Sequence, residues 1–375
     1  MHSISLAVSL VVVAGSSSAA TPEPATSVRD ASADAKPTPD RRRWFAGDVH
    51  MHVAPPDTDV TLGVGGIAAA ARAAKLDFVV LTPHLWPGRR GAGFAREWRT
   101  MAAAARSETP TLIPGVEWTT AAGHFTVAGA DATTLGSDFL ASAHQAGAFI
   151  SVNHPFAVPT KILGIPASHY DMSYRPWTTA GTPAKPIDGV EVFNLPLALA
   201  NLLSRPGGSS GEDRAWWQAD RLVRTEHRRV TAVGGTDNHT LVVLATTWVL
   251  AIDASEAAIL DALRAGATCV GGVEAGSFRA RGDADWVRIG DTTRATRSIA
   301  LAWDGLARLF VDGVDRGEHS GEFVHKANGI LHTYRIVRGA SRCGSSTRIC
   351  SRFSCQNLPR QLGQKSHWIS QCGNR

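Results

Sequence analysis

Two histidines one residue apart, His50 and His52, close the run Trp44-Phe45-Ala46-Gly47-Asp48-Val49-His50-Met51-His52. Hydrophobic residues lead into them, so the run reads as a strand opening into the mouth of a site. Side chains two apart on a strand point to the same side. His50 and His52 therefore share a face, and Val49 and Met51 take the other. Two imidazoles held side by side suit a divalent transition metal. The pattern returns late in the chain, where apolar Val230 to Val233 leads into Gly235-Thr236-Asp237-Asn238-His239, with Asp237 and His239 on one face. Between these ends lie Asp57, in the loop after His52, and His84, after the apolar run Asp77 to Thr82. Glu117 ends the run Thr111 to Trp118, His124 opens the run to Ala128, and His154 follows Ala148 to Val152.

Each residue has a plainer role open to it. Asp57 reads equally as a loop cap, His124 as a surface strand residue and His84 as a helix-end residue. Chance is a poor explanation for nine such residues gathered at strand ends. Imidazole and carboxylate without cysteine suit Zn, Mn or Fe, and the surplus of ligands points to two or three ions sharing a bridging carboxylate.

The elements that must position these residues alternate. Helix-like runs cover Gly66 to Lys75, Phe94 to Ser107, Asp138 to Ala146, Glu212 to Arg228 and Glu256 to Ala265. Between them fall the strand-like runs already named, with Gly189 to Phe193 and Thr246 to Ile252. Near-continuous apolar strands alternating with helices predict an α/β fold with a parallel sheet covered by helices, closed or distorted into a barrel. In such barrels the site gathers at the carboxyl ends of the strands. The Pro-rich segment Phe156 to Pro186 reads as a lid or substrate loop. Past about Gly271, short alternating runs separated by Gly and Asp predict a small β-rich appendage over residues 271–340.

The chain has 375 residues, 44% of them hydrophobic and 19% charged, the composition of a globular protein able to bury a core. Its net charge of +5 comes from the end of the chain. Of 38 Lys and Arg, six lie in residues 341–375 with no Asp or Glu beside them. That leaves 32 against 33 acidic residues in the rest. No basic face for a nucleic acid is implied. The same tail holds four of the five cysteines at spacings that match no zinc module, and its composition predicts an out-of-frame or otherwise aberrant terminus. Residues 1–20 read as an export signal, with the apolar core Ile4 to Ala14 too short to span a bilayer, and residues 21–43 as a disordered linker. No stable membrane insertion is expected.

The series His50-Met51-His52, Thr82-Pro83-His84, Gly115-Val116-Glu117, His124, Asn153-His154-Pro155 and Asp237-Asn238-His239 resembles the polymerase-and-histidinol-phosphatase (PHP) superfamily over residues 44–270. The Gly-Asp-Val-His-Met-His opening, the export signal and the β-rich appendage resemble in particular its carbaryl-hydrolase-like (CehA/McbA) metallohydrolases. The resemblance implies a distorted (β/α)7 TIM-like barrel with up to three metals. It implies a first site of His50, His52, Glu117 and Asp237, which act catalytically through bound metal and water. Glu117 would bridge to a second site with His124 and His154, and Asp57, His84 and His239 would form a third. The superfamily commonly has Thr-Asp-His where this chain has Thr82-Pro83-His84.

Adjacent divalent ions lower the pKa of water and polarise the bond under attack, so hydrolysis without a Ser or Cys nucleophile is the expected reaction. The substrate is a small molecule. Trp86, Trp118, Phe156 and Trp177 follow ligand-bearing strands and favour an apolar carbamate, amide or ester, although each serves equally well in a core. Arg89, Arg90 and Arg96 after His84 would suit the alternative, a phosphoesterase. A binding protein without turnover is the third reading.

Overall fold

The computed structural model describes residues 40–157, 161–162, 165–166, 172–179, 186–198, 211–239, 244, 246–271, 275–328 and 332–338, with the short segments 6–8 and 353–354. The expected export signal, linker and aberrant tail thus fall almost wholly outside the described residues, as does most of the Phe156 to Pro186 segment. Leu6–Val8 runs antiparallel to Thr268–Val270 and Thr333–Arg338.

The predicted strands and helices of the body are present, most with ends shifted by one to three residues. Strand Arg43–Met51 pairs in parallel with Phe78–Leu81, which pairs in parallel with Thr111–Thr120. The ring continues through Gly123–Ala128, Phe149–Val152, Gly189–Asn194 and Thr231–Gly235. It nearly closes where Asp237 donates its backbone N–H to the His50 carbonyl at 2.8 Å and Met51 bridges Asn238 in parallel. The result is a mixed α/β fold around a nearly closed, barrel-like sheet.

The expectation of a parallel sheet needs correction. Gly123–Ala128 is antiparallel to both of its neighbours, and Thr247–Ala251 is antiparallel to Arg43–Met51. The reason is local. Only Ala121 and Ala122 separate Thr111–Thr120 from Gly123–Ala128. So short a link makes a hairpin, because a parallel return needs a crossover of a dozen or more residues.

The ring strands are buried on both faces, which is why they read as continuous apolar runs rather than alternating ones. In Phe78–Leu81, Phe78 and Val80 join a cluster with Phe45, Val49, Ile113, Phe149 and the helix residues Ile259, Leu260 and Leu263. Val79 and Leu81 join the other cluster, with Ile67 and Ala71 of helix Val64–Ala73 and Trp98 and Met101 of helix Ala92–Ala105. Full burial of a side chain such as Phe78 is worth roughly 1.5–3 kcal/mol. Two helices open on side-chain caps, with Asp138 accepting from the Ala141 N–H and Ser255 from the Ala258 N–H.

Between Phe278 and Arg338 the described strands are antiparallel. Ser298–Val311 pairs with Phe278–Arg281, Val314–Lys326 and Thr333–Arg338. Asp312 and Gly313, both at positive φ (55° and 79°), make the two-residue turn between the longest pair. An Asp-Gly pair is favoured there because both positions need left-handed backbone. Core residues of these strands, such as Leu301, Leu309 and Ile336, belong to the same cluster as Trp216 and Val223 of helix Gly211–Glu226.

Candidate metal centre

The carboxyl ends of Arg43–Met51, Phe78–Leu81, Thr111–Thr120, Phe149–Val152 and Thr231–Gly235 converge on one end of the ring, each carrying ligand-type side chains. His124 sits at the start of its strand. Because that strand runs antiparallel, pairing Thr119 with His124, its beginning lies at the same end of the ring as the other strands' carboxyl ends. The hairpin thus delivers His124 to the site.

Glu117 is the hub. Its carboxylate is 1% exposed and lies 3.2 Å from His50 Nε2, 2.9 Å from His84 Nδ1, 3.2 Å from His124 Nδ1 and 3.3 Å from His154 Nε2. Asp237 reaches His52 Nε2 at 3.1 Å and His50 Nε2 at 3.5 Å. Eight of the nine sequence-predicted residues fall into four overlapping groups whose ligand atoms lie within 4.8 Å of one another. These groups are His52–His84–His239, His50–His154–Asp237, His50–His52–Glu117 and Glu117–His124–His154. The structure links His84 and His239 with His52, and joins His154 to His50 and Asp237 as well as to Glu117.

Asp57 belongs to none of these groups. Its Oδ2 accepts from His52 Nδ1 at 2.9 Å, and its Oδ1 accepts the His84 backbone N–H at 2.8 Å. It stands behind His52 and leaves Nε2 facing the cluster. Pro83, which has no N–H to give, still ties the site together, since its carbonyl accepts the Glu117 N–H at 2.9 Å.

Burial and charge shape this cluster in opposite directions. Burial alone would lower the His50 and His52 pKa values. The surrounding carboxylates outweigh it: Asp237, Glu191 and Glu117 hold His50 well above its ordinary value, and Asp237 and Asp57 raise His52 to about 9. Burial would raise Glu117 and Asp237, yet the imidazoles keep both well below the usual carboxylate range. His239 moves down, because of burial and then the neighbouring His52.

The donor set fits divalent cations. His84 Nε2 and His239 Nε2 face each other at 3.4 Å, and the His52 ring centre lies 4.3 Å from that of His84 and 4.0 Å from that of His239. Three imidazoles turned inward on one another, with buried carboxylates beside them, gain most from a cation in their midst. The mouth opens on the side of His239, whose side chain is 33% exposed, whereas His50 and His52 are sealed. Trp86, 43% exposed, rims it, with its ring centre 5.9 Å from His84 and 6.4 Å from His124.

Several residues of the site went unread in the sequence. Glu191 accepts from His50 Nδ1 at 3.0 Å and from the His154 backbone N–H at 2.6 Å, orienting two imidazoles. An acidic residue inside the apolar strand Gly189–Asn194 was the available signal, because a buried charge needs a partner. Asn153 donates to Glu117 at 3.0 Å, and Asn194 donates to both Glu191 and Asp237, at 3.2 and 3.1 Å. Asp48, fully buried, accepts from Thr236 Oγ1 and from the backbone N–H groups of His50 and Thr236. It ties the first ligand strand to the last, and burial pushes its carboxyl up to about 6.

Two ligand-type residues sit on left-handed backbone, His154 at φ 26° and Asp237 at φ 47°. Such conformations cost free energy and persist where surrounding contacts fix them, as the bonds to Glu191 and His50 do here. Gly235 leaves room for the cluster. A Cβ there would lie 2.3 Å from His50 Cβ and 2.5 Å from Glu191 Oε1.

No protein-family model matches the chain, and no curated protein matches it. Among solved structures it is similar to a two-domain protein from Bacteroides vulgatus described as containing a predicted PHP-like metal-dependent phosphoesterase. The two are 16% identical over 83% of this chain and 95% of that one, with a TM-score of 0.43. At that distance the likeness carries no inference about activity.

Proposed function

We propose that the chain is a metal-dependent hydrolase of the PHP type, closest in character to its carbaryl-hydrolase-like members. One observation carries the reading: a single buried carboxylate, Glu117, is shared among imidazoles from four different segments, in overlapping groups suited to more than one ion. His50, His52, His84, Glu117, His124, His154, Asp237 and His239 would hold two or three divalent ions, Zn, Mn or Fe. Such ions supply Lewis-acid polarisation and bring water's ionisation toward neutral pH.

The chain's own residues do the rest. Glu191 and Asp57 each accept a hydrogen bond from the Nδ1–H of a histidine, so that His50 and His52 present Nε2 inward in a fixed tautomer. Asn153 and Asn194 donate to Glu117 and Asp237, holding both carboxylates in line with the imidazoles. Trp86 offers an aromatic face at the mouth. Reaction at one open side of an otherwise buried cluster limits the water that competes with substrate.

A carbamate, amide or ester of an apolar molecule is the favoured substrate. Support comes from Trp86 and from Arg90, whose guanidinium donates to the Leu135 and Gly136 carbonyls and packs 5.0 Å from the Phe139 ring centre, away from any phosphate-binding role. Trp118 stacks on Phe139 at 4.3 Å and serves the core. A phosphoesterase is the second reading, favoured by Arg89, which is exposed on the turn just after Trp86. Export is part of the proposal and rests on the sequence of residues 1–20.

The test is elemental analysis of the full-length protein purified without chelator, with assays on p-nitrophenyl phosphate, p-nitrophenyl acetate and 1-naphthyl N-methylcarbamate. Two or three bound metals with acetate or carbamate turnover are expected. Phosphate turnover alone would move the assignment to the second reading. Fewer than one metal per chain after supplementation with Mn or Zn would sink the multinuclear site.

A further inference from the structure

The outermost ion of the proposed centre is short of a ligand. An imidazole nitrogen carries one lone pair and so serves one ion. His52 gives its Nδ1–H to Asp57 at 2.9 Å, which leaves Nε2 alone for a cation. Yet His52 stands in two groups, one with His50 and Glu117 and one with His84 and His239. Serving the first, it leaves the second with two imidazoles. Asp57 does not complete that pair, because its oxygens are held by His52 and by the His84 backbone N–H.

A carboxylate outside the four groups lies beside the gap. Asp59 Oδ2 is 3.6 Å from His239 Nε2, and the Asp59 side chain is 59% exposed on the open side of the cluster. The loop that carries it is pinned at its base, where Ala54 donates its N–H to the Leu62 carbonyl at 2.9 Å and Asp57 donates its own to the Val53 carbonyl at 3.1 Å. His239 is the one group of the cluster that Asp59 reaches among the described residues.

The tautomers are fixed from behind. His239 Nδ1 lies 3.2 Å from the Asp237 carbonyl oxygen, which only accepts, so Nδ1 carries the hydrogen. His84 Nδ1 likewise donates to the Glu117 carboxylate at 2.9 Å. The two Nε2 atoms of the neutral rings then present lone pairs 3.4 Å apart, with the Asp59 oxygen 3.6 Å from that of His239. Lone pairs placed this way repel one another unless a cation lies among them. In a tetrahedral site with bonds of about 2.0–2.1 Å, ligand atoms stand about 3.3 Å apart, close to these spacings.

We infer that Asp59, in place of Asp57, is the carboxylate ligand of the outermost ion, together with His84 and His239. Two imidazoles and a carboxylate suit Zn, Mn or Fe. Three protein ligands leave a position open to water or substrate, the pattern of a catalytic ion rather than a structural one. The inference rests on the metal-dependent reading of the centre and adds a residue on its open side.

The experiment is titration of the EDTA-stripped, dialysed full-length protein with Co²⁺, read by visible absorption and by metal per chain. Asp59→Asn should weaken one ion by about 100-fold or more, the upper end of what an orienting partner is worth, and leave the others unaltered. Asp59→Asn added to His239→Ala should cost nothing further, because both act on the same ion. The loss should persist in about 1 M NaCl, where a Debye length of about 3 Å screens the field of an exposed charge. The inference is overturned if Asp59→Asn binds every ion as the wild type does, if its effect spreads evenly over all ions, if it vanishes at high salt, or if it adds to that of His239→Ala. A wild type that binds no Co²⁺ would sink the metal centre itself, whereas a wild-type profile in Asp59→Asn would sink only the role of Asp59.

Discussion

Replacing Asp57 with asparagine tests whether the centre depends on oriented imidazoles. In the wild type, Asp57 accepts from His52 Nδ1 at 2.9 Å and from the His84 backbone N–H at 2.8 Å. An amide has one carbonyl oxygen for these two donors. If it keeps the bond to the backbone, its NH2 faces His52 Nδ1, which must then give up its proton. The proton moves to Nε2, the atom 3.1 Å from Asp237, and the lone pair needed for a cation is lost. If instead it keeps His52, the His84 N–H loses its acceptor. Disturbing a group that orients a metal-binding histidine costs about 10- to 100-fold in metal affinity, or about 1.4–2.8 kcal/mol. The loss should fall on His52–His84–His239 and spare Glu117–His124–His154, which Asp57 does not touch. Competition titration of Zn or Mn against a fluorescent chelator, with metal counted per chain, reads both. Unchanged affinity would refute the orienting role. A uniform loss at every site, or one beyond about 10⁴-fold, would mean that Asp57 acts as something more than the partner of His52.

Glu117→Gln should remove the charge shared by four imidazoles at once, so that metal per chain falls to one or below while the fold, followed by circular dichroism, persists. Gly235→Ala should destabilise the protein by about 1–3 kcal/mol, since the added methyl overlaps His50 and Glu191; an unchanged melting temperature would show that this corner is looser than its contacts suggest. In the metal-free protein the ion pairs make stability depend on pH. His52, held at about 9 against an ordinary 6.5, contributes fully below 6.5 and loses that contribution as the pH rises through 9. Glu117 and Asp237, both held low, contribute above their ordinary values of 4.5 and 3.8 and lose it on acidification. Melting temperature after EDTA treatment should therefore peak in mildly acidic solution. Metal loading should move that peak to higher pH, because the cation displaces protons from the histidines; a peak that stays put would disprove the competition.

The candidate ligand residues could be picked out in the sequence because their chemistry is local. Ligand-type side chains ending apolar runs mark a site whatever the topology, and the alternation of runs placed strands and helices within a few residues of where they lie. What the sequence could not decide was direction and pairing. The strand opening with His124 runs backward because only two residues link it to the strand before, a length the structure reveals, and only the nearly closed ring shows that this reversal brings His124 to Glu117. Glu191, Asp48 and Asn194 looked like polar interruptions of strands, because their function is to bond groups far away in the chain. Asp57 carries the same carboxylate as a ligand, and only its two hydrogen bonds show that it faces the back of His52. A cavity beside helix Gly211–Glu226 joins residues some 20 to 60 positions apart. Only the folded chain brings them together, with the Arg214 guanidinium 4.4 Å from the Phe156 ring centre.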